Sequence, residues 1–165
     1  MKSLWVYPQK CTGCQECVLA CSFQKTRKFS PRDACLYLLT WEEYGLTVPV
    51  VCAHCEDAPC EEVCPVEAIS RDPTTEAMVV DRELCTSCGL CVEECPIAVI
   101  FLDRYEEKAM KCDLCQGQPA CVDVCEPEAL RFEEREWPER SRQQKEAMEA
   151  RRAYREGEKA PSLAE

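Results

Sequence analysis

Cys85-Thr86-Ser87-Cys88-Gly89-Leu90-Cys91-Val92-Glu93-Glu94-Cys95-Pro96 decides the reading of this chain. Its four cysteines are separated by two, two and three residues and are followed by proline, and Cys11, Cys14, Cys17 and Cys21 repeat the same separations. Two further groups keep the outer gaps and widen the middle one, to four residues in Cys52, Cys55, Cys60 and Cys64, and to five in Cys112, Cys115, Cys121 and Cys125. The text after the last cysteine also recurs, as Pro65-Val66-Glu67-Ala68-Ile69, Pro96-Ile97-Ala98-Val99-Ile100 and Glu126-Pro127-Glu128-Ala129-Leu130. Of 17 cysteines in 165 residues, only Cys35 stands outside the groups.

A chain this rich in cysteine is either a disulfide scaffold or a metal carrier. A disulfide scaffold needs an oxidising compartment, and the opening Met1-Lys2-Ser3-Leu4-Trp5-Val6-Tyr7-Pro8 has neither an apolar secretory core nor a small-residue cleavage site. The expectation is a cytoplasmic chain with reduced thiols. No stretch approaches the roughly 20 apolar residues of a membrane span. A net charge of -11 and a pI near 4.7 argue against nucleic acid and anionic membranes, so the partners are expected to be proteins. Filling the cysteine groups would make the chain more acidic still, which favours a partner with a basic docking surface.

Spacing separates the possible metals. Cysteine pairs two residues apart also occur in zinc ribbons, but zinc sites seldom add a third cysteine after another two-residue step, a fourth three residues on, and a proline. A cubane offers four iron corners. One loop with two-residue gaps wraps three of them, while a fourth thiolate on a departing helical turn reaches a neighbouring cluster, as in bacterial two-cluster ferredoxins. The expected cofactors are four 4Fe-4S clusters. All sixteen grouped cysteines are their candidate ligands, and no residue is a catalytic candidate.

The expected fold class is α+β: ferredoxin-like repeats forming two bacterial-ferredoxin-type two-cluster units, with short strands and helical turns around the clusters. Strand text occurs at Trp5-Val6-Tyr7, Leu36-Tyr37-Leu38-Leu39, Val48-Pro49-Val50-Val51, Met78-Val79-Val80 and Ile100-Phe101-Leu102. Helical turns over 90–95 and 120–125 would carry the last two cysteines of a group on one face. The apolar residues look too scattered for a large core, so the clusters are expected to hold the fold. Residues 1–132 read as the four-cluster domain. Residues 133–165 read as a charged extension with a helix over about 139–155, opened by Pro138 and ended by Gly157 and Pro161. A seam of Ala147, Ala150 or Arg151, and Tyr154 on that helix is a candidate docking stripe. Cys35, beside an apolar run, reads as a small buried residue, and His54 as a partly solvated ring near a cluster.

Beyond spacing, the segments Cys11-Thr12-Gly13-Cys14, Cys21-Ser22-Phe23, Phe29-Ser30-Pro31, Trp41-Glu42-Glu43-Tyr44-Gly45 and Val51-Cys52-Ala53-His54-Cys55-Glu56-Asp57-Ala58-Pro59-Cys60 carry a more specific likeness. Over residues 5–132 the chain resembles the four-cluster polyferredoxin subunits of molybdenum and tungsten bis-pterin oxidoreductases. Within these it looks closest to the small iron-sulfur subunit of tungsten-dependent aldehyde ferredoxin oxidoreductase-like enzymes. The resemblance implies ligand sets of Cys11, Cys14, Cys17 and Cys125; of Cys21, Cys112, Cys115 and Cys121; of Cys52, Cys55, Cys60 and Cys95; and of Cys64, Cys85, Cys88 and Cys91. The chain departs from the family pattern at Ser22, which replaces a proline, and at Pro127, displaced by one position. The implied role is a non-catalytic electron-transfer subunit, passing single electrons between a tungsten or molybdenum pterin subunit and a flavin/NAD-binding subunit or soluble ferredoxin. Two other readings stand beside it: the electron-transfer subunit of a hydrogenase, carbon monoxide dehydrogenase or formate dehydrogenase complex, and a self-associating acidic scaffold that lengthens the wire.

Overall fold

Short elements dominate because each cysteine group interrupts regular structure. A computed structural model of the chain describes residues 2–161; residues 162–165, the end of the expected extension, lie outside the described residues. Strand β1 (Lys2–Val6) leads into the first cysteine group and helix α1 (Glu16–Thr26). A hairpin of β2 (Tyr37–Trp41) and β3 (Leu46–Val50) follows, turning at Gly45. The second group contains α2 (Pro59–Glu62) and is followed by β4 (Ile69–Arg71) and β5 (Met78–Val80). The third contains α3 (Leu90–Glu93) and is followed by β6 (Phe101–Leu102) and β7 (Ala109–Met110). The fourth contains α4 (Ala120–Asp123), then β8 (Leu130–Glu134) and α5 (Trp137–Glu156) close the chain. This is a mixed α+β arrangement.

The strands pair two by two, all antiparallel: β1 with β8, β2 with β3, β4 with β5 and β6 with β7. The β1–β8 ladder joins the start of the chain to the end of the fourth group, in register from Lys2 opposite Glu134 to Val6 opposite Leu130. The β4–β5 ladder ties the end of the second group to the start of the third. An outer half, of groups one and four, and an inner half, of groups two and three, result. Pro49 sits inside β3 without harm, because each strand of a two-stranded ladder has a free edge.

Proline placement explains why α1 is long and α2 and α3 are single turns. A proline disfavours the helical conformation of the residue before it, so Pro65 and Pro96 stop the chain at Cys64 and Cys95. Ser22 has an N–H to give, and α1 runs through Cys21 to Thr26, with the Ser22 hydroxyl donating to the Leu19 carbonyl and accepting from the Ser30 amide. Only α1 therefore carries the last two cysteines of a group on one helical face; α3 and α4 end before Cys95 and Cys125.

A contiguous core does form in the outer half, where Leu4, Val18, Leu36, Leu39, Val48 and Val50 pack with buried cysteines. The expectation of apolar residues too scattered for a core fails there, because the hairpin and α1 gather residues distant in sequence. The inner half keeps a smaller cluster around Ala68, Ile69, Met78 and Ile100. Helix α5, capped by a reciprocal Glu136–Glu139 box and ended by Gly157, packs on the outer half and reaches the inner half through Arg140. Its Gln143 amide bridges the Val6 N–H and the Leu4 carbonyl at 2.9 and 3.0 Å, and its Tyr154 packs edge-on against Trp41 with ring centroids 5.3 Å apart. Ala150 of the stripe considered for docking is buried and Ala147 packs against the core, so part of that stripe is used on the chain itself.

Candidate functional site

The four cysteine loops share a backbone conformation that their sequences do not advertise. The residue before the second cysteine has a positive φ in every group: Gly13 at 72°, His54 at 46°, Ser87 at 62° and Leu114 at 57°. Three of these are not glycine, and such a conformation costs a non-glycine residue about 1–2 kcal/mol. The residue three places after the last cysteine is also left-handed in three groups, Glu67, Ala98 and Glu128, and its N–H donates to the carbonyl of Cys64, Cys95 or Cys125 at 3.2, 3.0 and 2.9 Å. A repeated strained turn of this kind points amides inward, toward whatever the cysteines surround.

The first three thiols of each group assemble with the fourth thiol of another. Cys11, Cys14 and Cys17 lie beside Cys125. Cys121 lies beside Cys112, Cys115 and Cys21. Cys60 has Cys52, Cys55 and Cys95 as neighbours, and Cys91 has Cys85, Cys88 and Cys64. Two of these quartets visibly bound cavities. One is lined by Cys11, Cys14, Cys17 and Cys125 with Leu38 and Leu130; the other is lined by Cys64, Cys85, Cys88 and Cys91 with Val66 and Leu102.

The quartets fit iron-sulfur cubes better than a single ion. Among the described residues no three Cys, His, Asp or Glu side chains are close enough to grip one metal ion, and no disulfide joins the thiols. Sulfurs held apart around a cavity suit a group that brings its own bulk. Backbone amides already aim at sulfur: Ala68 N–H at Cys64, Leu130 N–H at Cys125 and Cys35 N–H at Cys21, at 3.2, 3.3 and 3.3 Å. Such bonds stabilise a thiolate or a reduced cluster.

Electrostatics alone would not ionise most of these thiols. Burial pushes Cys17 and Cys60 up to about 12 and Cys55 up to about 11, and crowding by neighbouring sulfurs adds to the rise. Iron must therefore displace their protons as it binds. Two thiols go the other way: the hydrogen bond from Cys35 brings Cys21 down to about 7, and at Cys52 burial works against the thiolate, but His54 and Lys111 outweigh it and bring the thiol down to about 5.

The two residues left over in the sequence take defined places. Cys35 is 1% exposed beside Cys21, as a small buried residue should be. His54 is 0% exposed, which corrects the expectation of a partly solvated ring; β5 covers it, and the Met78 N–H donates to its Nδ1 at 2.9 Å. Sequence reasoning did not find Lys111 or Arg140, both buried against the second group. Arg140 donates from α5 to the carbonyls of Ala53 and His54 at 2.9 and 2.7 Å. The position of Lys111 immediately before Cys112 was the available signal.

Comparison with known proteins agrees with this geometry. The 4Fe-4S dicluster domain profile matches residues 44–135, and a 4Fe-4S binding domain profile matches residues 8–24. The aliphatic sulfonate oxidoreductase polyferredoxin-like subunit of Pyrococcus furiosus is 37% identical over 125 residues, covering 74% of this chain and 71% of that one. The thiosulfate reductase electron transfer subunit PhsB of Salmonella typhi is 37% identical over 137 residues, covering 75% and 71%. Hydrogenase-4 component A of Escherichia coli is 35% identical over 168 residues, covering 76% and 78%.

Proposed function

The chain belongs to the 4Fe-4S dicluster family, and from that premise we propose that it is a linear electron relay whose clusters are ligated by the four thiol quartets described above. It is a non-catalytic iron-sulfur electron-transfer subunit of an oxidoreductase complex, with four 4Fe-4S clusters as its cofactors. Each such cluster, when bound, changes by one electron.

The observation that carries the relay is that the quartets adjoin in one order. Cys17 lies near Cys121, linking the Cys11 quartet to the Cys21 quartet. Cys112 lies near Cys52, linking the Cys21 quartet to the Cys52 quartet. Cys60 lies in α2 with Cys64 just past its end, and Cys91 lies in α3 with Cys95 just past its end, which links the Cys52 quartet to the Cys64 quartet. The two ends are the accessible ones: Cys14 and Cys88 are exposed, whereas Cys52 and Cys112 are buried. The chain's residues shield the middle of the path from water and leave each end open to a partner.

In this reading two bacterial-ferredoxin-type units make up residues 1–132, and residues 133–165 brace them. One end docks on a tungsten or molybdenum pterin subunit of the aldehyde oxidoreductase type, and the other serves a flavin/NAD-binding subunit or soluble ferredoxin in the cytoplasm. The segments from Cys11 to Cys60 that resemble the subunits of such enzymes support the pterin partner. No helix among the described residues is long and apolar enough to cross a membrane. A hydrogenase partner is the second reading, favoured by the likeness to hydrogenase-4 component A.

Anaerobic metal analysis of the complex captured through this chain tests both. About sixteen iron and sixteen sulfide per chain, with tungsten or molybdenum in the companion, is the expected result. Zinc without sulfide would overturn the relay, and full iron with nickel would keep the relay and move it to the hydrogenase.

A further inference from the structure

Four clusters of one kind differ in potential only as far as the protein makes their surroundings differ, through charge, burial and hydrogen bonds to sulfur. The surroundings of the four quartets are unequal. Around Cys52, Cys55, Cys60 and Cys95 buried cations and N–H donors converge. Lys111 is 4% exposed; its ammonium donates to the Met78 carbonyl, and the Cys52, Cys60 and Cys112 sulfurs are its neighbours.

His54 is a neighbour of the same sulfur. Its Nδ1 accepts the Met78 N–H, which assigns the ring proton to Nε2. Nε2 is buried without a hydrogen-bond partner, and the Cys52 sulfur is a neighbour of the ring. The ring proton is thus buried near that sulfur, in the tautomer that β5 fixes. Arg140 adds its guanidinium at the carbonyls of Ala53 and His54, on the approach to Cys55.

The cations near the other quartets are spent or screened. Lys25, near Cys112, is paired with Asp113 at 2.5 Å. Lys10, beside Cys11, is exposed and shared with Glu128. Lys108 donates to the Cys85 carbonyl from a half-buried position. A positive charge held away from water stabilises an added electron more than the same charge in solvent.

We propose that the Cys52, Cys55, Cys60 and Cys95 quartet holds the centre of highest midpoint potential in this chain, with Lys111 and His54 as the residues that set it. The inference rests on the ligand quartets of the relay. An electron entering from either end then settles at an interior centre, so the chain stores one electron between transfers. Lys111 also faces Cys112, and its charge raises the adjoining centre to a smaller degree.

The test is an anaerobic potentiometric titration, followed by electron paramagnetic resonance, of the full iron-loaded chain and its Lys111→Met and His54→Phe variants. Iron and sulfide are counted first, and only preparations with the wild-type content are titrated; His54→Phe decides if Lys111→Met fails to hold iron. The expected result is that both variants lower the same midpoint, the highest of the wild type, and leave the two terminal centres in place. An unmoved highest midpoint, or movement only of a lower one, overturns the proposal. The quartets have their own control: Cys55→Ser and Cys95→Ser must remove the same centre, and loss of different centres overturns the ligand assignment and not the tuning alone.

Discussion

The outer and inner halves use nearly the same ligand text on very different scaffolds. The outer half has an eleven-residue α1, a five-pair β1–β8 ladder, the β2–β3 hairpin and the docked α5. The inner half has two four-residue helices and ladders of three and two pairs. Two-stranded ladders this short are not stable alone in water. Apolar burial can hold much of the outer half, whereas the inner half has little but metal to fold around.

Removing iron is the harshest way to break that comparison, and it carries the largest expected effect. Under anaerobic chelation the segment 52–112 is expected to lose all slow amide exchange, while β2, β3 and the α5 contacts with β1 keep part of theirs. Hydrogen exchange read by mass spectrometry checks this. Equal loss in both halves would mean that the outer core is too weak to stand without its clusters.

Single ligands come next. Cys14→Ala and Cys125→Ala lie at opposite ends of the outer half in sequence, yet each is expected to cost the same centre and about four iron. Iron analysis with low-temperature spectroscopy of both variants gives the answer, and the loss of two different centres would divide the outer unit.

The sequence carried the four-fold cysteine repeat and most strands, because cysteine spacing and β-branched runs are local signals. It did not carry β4, β7 or β8, whose text Ile69-Ser70-Arg71, Ala109-Met110 and Leu130-Arg131-Phe132 is too short or too polar to alternate clearly. These strands exist because a cysteine group delivers each beside its partner. The buried state of His54 was illegible for the same reason: the strand that covers it starts 24 residues later in the chain. Lys111 and Arg140 look like ordinary surface charges in sequence, and only tertiary placement turns them inward.

Ser22→Pro would give group one the proline that follows Cys64 and Cys95, and so sharpen the contrast between the halves. The ring removes a helical N–H in the middle of α1 and the Ser22 hydroxyl bond from Ser30. A loss of about 3 kcal/mol is expected in anaerobic urea unfolding of the loaded chain. Unchanged stability would show that α1 past Cys21 is dispensable. Arg140→Met should cost about 2 kcal/mol by the same measurement, because two buried carbonyls lose their shared donor. A cost near zero would mean that α5 contributes no polar clamp to the inner half.

The smallest effect isolates one atom of the difference. Gly13 and Ser87 occupy the same place before the second cysteine, both left-handed, at 72° and 62°. Group three carries a side chain there. In group one the hairpin leans on the loop: a Cβ on Gly13 would stand 3.1 Å from Thr47 Oγ1, which is itself bonded to Thr40 Oγ1 at 3.2 Å. Gly13→Ala therefore combines the left-handed cost of about 1–2 kcal/mol with a close approach to β3. Adding Thr47→Ala should return the close-approach part and leave the backbone part, in a double-mutant cycle on the loaded chain. Full additivity of the two substitutions would show that the hairpin does not press on the first loop, and the bracing of the outer half would then rest on α1, β1–β8 and α5.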